Sequence, residues 1–378
     1  MGIIIVRNND GNSSTRWQSS QLQSLVNCSS WQLYTPTTRN NHLLGSLGTT
    51  ESSIMNHVSI RADFLAIGLV LRVIGETFVD ITKVNCFLCG STRIKQTRDR
   101  RPVNYHVNRY FYKCRECKAY SLWPKLENWE IQKLYSANYI GDVAPGSSLD
   151  YESDKARFTK LERYLTSNSD RGEKLYLDFG CGASADTVIL AKALGFQAFG
   201  VEVAEDTRRK ANLVSGCEIY SPEEIATGQH RFDTVFMGDV LEHVMDPISL
   251  LESAQKSLKP GGVLVIQGPL EGAVTLSNFF VALKAQIFFK RPSTSPPYHV
   301  SLARKNSILR MLKIRGLTAV DMEITEPYWP APRLGSRDSF VSPSKFFLSL
   351  TKLIDIGIHR IHKSYGTRFF LISKSSSL

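Results

Sequence analysis

Leu175-Tyr176-Leu177-Asp178-Phe179-Gly180-Cys181-Gly182, with Glu202 one helix-length downstream, is the stretch whose reading decides the fold. Residues 175–179 are an apolar run interrupted only by Asp178, the pattern of a strand buried on both faces of a parallel sheet. Gly180 and Gly182 make a tight turn, and Asp186–Leu194 carries helical apolar spacing. Phe196–Val201 reads as the next strand, with Glu202 at its carboxyl end. Glycine lets backbone N–H groups approach a ligand where a Cβ would collide. An acid about 20 residues later is placed to take both hydroxyls of a ribose. The unit therefore predicts an adenosine-containing cofactor.

Gly180-x-Gly182-x-x-Ala185 also satisfies a dinucleotide fingerprint, but that match is unspecific. Asp178 stands two positions before the first glycine, and a carboxylate there suits a cofactor with a cationic amino group. A pyrophosphate would seek the positive ends of dipoles instead. Further on come the strand Phe232-Asp233-Thr234-Val235-Phe236, the group Asp239-Val240-Leu241-Glu242-His243-Val244-Met245-Asp246-Pro247, a helix, Lys259-Pro260-Gly261-Gly262 and the strand Val263–Gln267.

This ordered series resembles the class I S-adenosylmethionine-dependent methyltransferases over roughly residues 165–325, extending toward 375. The resemblance implies an α/β fold: a Rossmann-like, seven-stranded class I methyltransferase sheet with helices on both faces. It implies that Asp178, Gly180 and Gly182 hold the methionine half of S-adenosyl-L-methionine and Glu202 the ribose. Asp239 closes the fourth strand, where the family commonly contacts cofactor or substrate, and Ser221–Glu224 is expected to approach the adenine. One departure is Ser184, where the family carries its third glycine. In ubiquinone-pathway O-methyltransferases a group similar to Asp239-x-x-Glu242-His243 is associated with a divalent metal, so these three residues are candidate ligands. The alternative is that Glu242 and His243 begin a helix and hydrogen-bond the switch point of the sheet. His299, in Pro296-Pro297-Tyr298-His299-Val300-Ser301 ahead of a helix expected over Leu302–Arg315, is a candidate general base, with His243 as the second catalytic candidate.

Cys86-x-x-Cys89 and Cys114-x-x-Cys117 are a strong zinc-ribbon signal, with a strand expected over Tyr105–Tyr112 between the two knuckles. Four thiolates leave no open position for water, so the predicted Zn2+ is structural. Cys28, Cys181 and Cys217 fall outside the pattern, and Cys181 reads as a packed turn residue. Between Lys83 and Lys118 ten Lys or Arg face two acids, a net +8 of the chain's formal +11. Interleaved with Arg109, Tyr110, Phe111 and Tyr112, this charge suits RNA, a phosphorylated small substrate or a plain solvated face.

The 378 residues, 42% hydrophobic, suffice for two or three domains. Residues 1–58, rich in Ser, Asn, Thr and Gln, read as a disordered or non-native leader with Met55 as an alternative start. Residues 59–142 read as an amphipathic helix (60–82) plus the zinc ribbon, ending in a short helix over Leu126–Tyr139. Residues 143–164 read as a Gly/Ser linker (Val143–Asp154) and a covering helix (Tyr151–Thr166), and 165–378 as the methyltransferase domain. The longest apolar run, Phe64–Val79, is broken by Arg72 and Glu76, so no transmembrane segment is expected. A cytoplasmic location is expected because Met1–Val6 is too short for a secretory apolar region.

Leu276–Phe289 and Phe346–Ile361 are apolar on one face and basic on the other. The first is expected as a substrate-side lid. The second, between strands expected at Thr318–Thr325 and Thr367–Ser373, is expected as a cap over the pocket, with peripheral membrane contact through Lys345, Lys352, Arg360 and Lys363 as the alternative. The leading functional expectation is methyl transfer to a small-molecule acceptor, a sugar, polysaccharide or natural-product intermediate. A zinc module also precedes this fold in sugar C-methyltransferases. The runner-up is an RNA methyltransferase whose basic ribbon grips nucleic acid, an arrangement similar to that of ribosomal-RNA guanine methyltransferases. Against it, the fourth strand ends in Met237-Gly238-Asp239-Val240 and lacks the Asn/Asp-Pro-Pro-Tyr that serves exocyclic base amines. A third class is a scaffold without catalysis, which Ser184 alone suggests.

Overall fold

The computed structural model describes residues 84–135, 151–168, 174–227, 230–288, 292–328, 331–332 and 334–375. The expected leader, the helix over 60–82, Cys28 and most of the Gly/Ser linker lie outside the described residues. The first elements are β1 (Ile94–Gln96), β2 (Val103–Tyr105), β3 (Val107–Cys114), β4 (Tyr120–Trp123) and α1 (Asn128–Leu134). The single strand expected over Tyr105–Tyr112 is thus a hairpin, β2 against β3, because His106 takes φ +60° and turns the chain.

After α2 (Tyr151–Thr166), which includes the last four residues of the expected linker, alternation begins. It runs through β5 (Leu175–Phe179), α3 (Asp186–Ala193), β6 (Gln197–Val201), α4 (Glu205–Ser215), β7 (Ile219–Tyr220), α5 (Pro222–Ala226), β8 (Phe232–Gly238), α6 (Pro247–Lys256) and β9 (Leu258–Pro269). Helix α6 starts where the sequence places it: Asp246 caps it by accepting from Ser249 N, and Pro247 occupies the first turn. Then follow α7 (Leu276–Phe288), β10 (Ser301–Leu302), α8 (Lys305–Ile314), β11 (Leu317–Thr325), α9 (Arg337–Phe340), α10 (Pro343–Ile361) and β12 (Arg368–Ser375).

The large sheet has the order β11-β12-β9-β8-β5-β6-β7. Strands β9 to β7 run parallel, and β12 lies antiparallel between β9 and β11. It is the expected Rossmann-like seven-stranded sheet, with its topological switch between β5 and β8. In open α/β sheets the carboxyl ends at a switch point form the binding crevice. Leu177, Val235, Leu264 and Ile266 are completely buried, as central parallel strands require.

Residues 301–302 depart from expectation. Leu302 leaves the predicted helix, and with Ser301 it pairs with β4 as a further strand of the N-terminal sheet, in the order β1-β3-β4-β10. Burial outweighs helix propensity here: Val300 and Leu302 belong to one apolar cluster with Phe87, Phe111 and Leu122. The helix starts three residues later, at Lys305.

The basic, aromatic-interleaved stretch is also different from the surface expected. Arg109 is 1% exposed, and Phe111 and Tyr112 are buried. Arg109 donates to the carbonyls of Pro124 and Tyr105 and, at 2.5 Å, to the Glu130 carboxylate on α1. This ion pair ties the ribbon to the helix that leads to Tyr135. Glu130→Ala would leave an uncompensated buried guanidinium, and we predict a loss of about 3–5 kcal/mol in denaturant unfolding. A loss below 1 kcal/mol would contradict that reading.

Candidate active site

Strand β5 ends in the glycine turn. Gly180 takes φ +85°, and a Cβ there would stand 2.7 Å from Val240 Cγ2, so the position excludes any side chain. Gly180 N and Cys181 N donate to Val201 O at 2.8 and 3.1 Å, which fixes the turn on the end of β6. Gly182 N donates to Glu202 Oε2 at 3.1 Å, and Ala204 N to Glu202 Oε1 at 3.3 Å. The structure therefore brings Gly180, Gly182 and Glu202 together at one notch. Burial raises the Glu202 carboxyl above its ordinary range, against the lowering effect of these N–H groups.

Asp178 lies beneath the notch, 3% exposed, and accepts a hydrogen bond from Thr187 Oγ1. Thr187 escaped the sequence reading, although its place one turn into α3 faces the end of β5. Ser184 donates to Asp186 at 2.8 Å, and the left-handed conformation falls on Ala185, φ +48°. Cys181 is a packed turn residue as expected: it is buried, and a Cβ on Gly200 would meet its sulfur at 2.8 Å. Burial, then Asp178 and Glu202, hold its thiol well above the usual range. Glu224 is engaged in a capping box at the start of α5, accepting from Ser221 N at 2.6 Å.

On the other side of the switch point, Asp239 takes φ +55°. Its carboxylate accepts from Arg368 Nη2 at 2.6 and 2.9 Å. Arg368 begins β12, 129 residues away, and no local pattern announces it. Glu242 is 5% exposed, and its carbonyl accepts from Val300 N and Ser301 N. His243 Nδ1 lies 2.9 Å from the Tyr298 carbonyl oxygen and 3.1 Å from the Tyr135 hydroxyl. A carbonyl oxygen only accepts, so His243 carries its proton on Nδ1.

His299 Nδ1 lies 2.9 Å from Glu271 Oε2, and the two histidine rings meet edge to face with centroids 4.7 Å apart. Burial alone would lower the His299 imidazole, but the Glu271 carboxylate more than reverses this and lifts it to about 9. His243 goes the other way, pushed down to about 4 by burial and by His299. Burial, and then Asp239, push Glu242 up to about 7. Glu271 was missed from sequence, although an acid just past the carboxyl end of a parallel strand was a usable signal.

The candidate metal set differs from the expected one. Ligand atoms of Glu242, His243 and His299 lie within 4.8 Å of one another, while the Asp239 carboxylate is turned to Arg368. The second such group is the four cysteines. Cys86, Cys89, Cys114 and Cys117 are buried and likewise mutually within 4.8 Å, with Cys86–Cys117 sulfurs 3.5 Å and Cys89–Cys114 sulfurs 3.6 Å apart. A tetrahedral ion with bonds of about 2.3 Å to sulfur needs edges of about 3.8 Å, so the donor set fits. Glu116 N also donates to Cys114 Sγ at 3.3 Å, as in a metal knuckle. With its antiparallel strands, this is the arrangement of a zinc ribbon.

Comparison with known proteins agrees with this geometry. Residues 153–321 match the family model described as "Methyltransferase domain". This part of the chain is a class I S-adenosylmethionine-dependent methyltransferase domain. A ubiquinone biosynthesis O-methyltransferase of Hydrogenovibrio crunogenus is 38% identical over 97 residues, 24% of this chain and 40% of that protein. The enzyme of the same name from Xanthomonas euvesicatoria is 27% identical over 185 residues, 46% of this chain and 76% of that protein. The chain thus spans about two-fifths of the length of the first of these relatives. The crystal structure of magnesium protoporphyrin IX methyltransferase from Synechocystis, with bound SAH, aligns at a TM-score of 0.44 and 14% identity, covering 66% of this chain and 100% of that one. If Glu202 holds the ribose, Glu202→Ala weakens S-adenosylhomocysteine binding by about 1–3 kcal/mol in calorimetric titration. Unchanged affinity would remove Glu202 from the site.

Proposed function

We propose that this protein transfers the methyl group of S-adenosyl-L-methionine to a hydroxyl of a small-molecule acceptor, with His299 as general base and Glu271 as its positioning partner. The observation that carries the reading is the 2.9 Å contact between His299 Nδ1 and Glu271, half-buried at the carboxyl edge of the sheet. The sulfonium methyl is already activated, so the main task is to hold sulfur, methyl and oxygen in line. Gly180, Gly182 and Glu202 hold the cofactor, with Asp178 shaping the floor of the notch. His299 Nε2 takes the hydroxyl proton as the oxygen–methyl bond forms, and Glu271 stabilises the resulting imidazolium. O-methyl transfer agrees with the names of the two curated relatives. A sugar, polysaccharide or natural-product hydroxyl is the acceptor class favoured by the ribbon-plus-methyltransferase arrangement.

RNA as acceptor loses support with the burial of Arg109, Phe111 and Tyr112, since the aromatic-basic stretch offers no face for bases. A divalent metal at Glu242, His243 and His299 is the second reading. Both Nδ1 atoms face oxygen acceptors, which leaves both Nε2 atoms for ligation in the manner of metal-binding histidines. Such an ion would acidify an acceptor hydroxyl when bound. In the ribbon, four thiolates suit a structural Zn2+.

Two experiments test these assignments. As His299 loses its proton, kcat/KM is expected to rise about tenfold per pH unit and to level off above about 9. His299→Ala lowers the plateau about 10²–10⁴-fold. Glu271→Gln removes the charge that holds the imidazolium, so its plateau is reached at lower pH. A flat profile from pH 6 to 9 would retire His299 as the base. Elemental analysis is expected to find one zinc per chain, lost in Cys114→Ser. A second divalent ion lost in Glu242→Gln would select the metal reading over the unaided base.

A further inference from the structure

Helix α10 is inside out. Its buried residues are Ser349, Lys352 and Asp355, all polar and spaced three apart. Lys352 pairs with Glu326, and Asp355 caps α7 by accepting from Leu276 N and Ser277 N at 2.9 and 2.8 Å. Lys352, expected among the surface cations, is thus an interior residue. The apolar residues Phe347, Ile354 and Ile361, one heptad apart on one stripe, are 50%, 45% and 78% exposed.

Helix α7 repeats the pattern. Leu276, Phe279, Leu283 and Ile287 follow helical spacing and are 39%, 66%, 46% and 70% exposed. The two helices adjoin, with Phe280 and Phe347 ring centroids 6.1 Å apart and Lys284 donating to Ser344 at 2.8 Å. Isolated exposed apolar residues are ordinary, but two adjoining stripes of them mark a surface that something covers.

We infer that the α7–α10 pair is an interfacial anchor that lays its apolar stripes into the surface of an anionic lipid membrane. The charge decides the occupant. Lys284 and Arg360 are exposed on the two helices, as are Lys345 in the first turn of α10 and Lys363 just past its end, while Asp355, the acid within these two helices, is buried and engaged. Apolar stripes on a helix pair whose exposed charges are all positive match a headgroup–acyl boundary carrying negative charge. A second copy of the same surface would set like charge against like charge. No described helix is long and apolar enough to cross a bilayer, so the contact is in-plane.

The test is flotation of the full chain with vesicles of phosphatidylcholine containing 30% phosphatidylglycerol, and with pure phosphatidylcholine. Binding is expected to the anionic vesicles, at least tenfold weaker to the neutral ones, and reduced by 0.5 M salt. Phe279→Asp with Ile354→Asp should cut binding at least tenfold with no fall in Tm, since both side chains are exposed. Lys345→Glu with Lys363→Glu should cut binding to anionic vesicles alone. Absence of binding, or binding unchanged in the aspartate variant, would overturn the proposal. So would a concentration-dependent dimer in sedimentation that the aspartate variant abolishes while vesicles are ignored.

Discussion

The pairing of β10 with β4 is the contact on which the placement of His299 depends. Ser301 and Leu302 pair with Ser121 and Tyr120, and Leu122 N donates to Val300 O at 2.8 Å. At its other end the same segment is held at Ser293, which exchanges hydrogen bonds of 2.7 Å with Asn104 and Pro102. His299 sits between these two clamps. The ribbon also reaches the partner of His299, since Arg100 donates to the Glu271 carbonyl at 2.9 Å. A module that reads in sequence as a separate zinc ribbon thus supplies the rigid wall on which the His299 loop is stretched. Sites held on strands are more precise than sites on free loops.

That wall explains why two histidines 4.7 Å apart titrate in opposite directions. His243 is enclosed by Tyr298, Tyr135 and His299, and burial keeps it neutral. His299 is turned toward Glu271, and the carboxylate keeps it charged at neutral pH. Environments that push neighbouring pKa values apart divide acid and base duties between otherwise identical groups.

The glycine notch was legible from sequence because it is local. Gly180, Gly182 and Glu202 lie within one β-α-β unit, and their separation is fixed by helix and strand geometry. The four cysteines were legible because their spacing leaves little else to do. The cluster around Asp239 and the two histidines was not, because its contacts are long-range: Arg368 meets Asp239 across 129 residues, and Tyr135 meets His243 across 108. The expected ligand set of Asp239, Glu242 and His243 followed sequence proximity, whereas strand pairing substitutes His299 for Asp239. Leu302 reads as helix because helical propensity is local and its competing partner, Tyr120 on β4, lies far upstream in the chain.

Amide hydrogen exchange of the intact, metal-loaded protein tests the central claim most directly. If the ribbon holds the acceptor loop, peptides spanning 298–302 and 119–123 exchange together, with protection close to that of β8 and β9. If 298–302 exchanges at the rate of an open loop while 119–123 stays protected, the ribbon does not position His299.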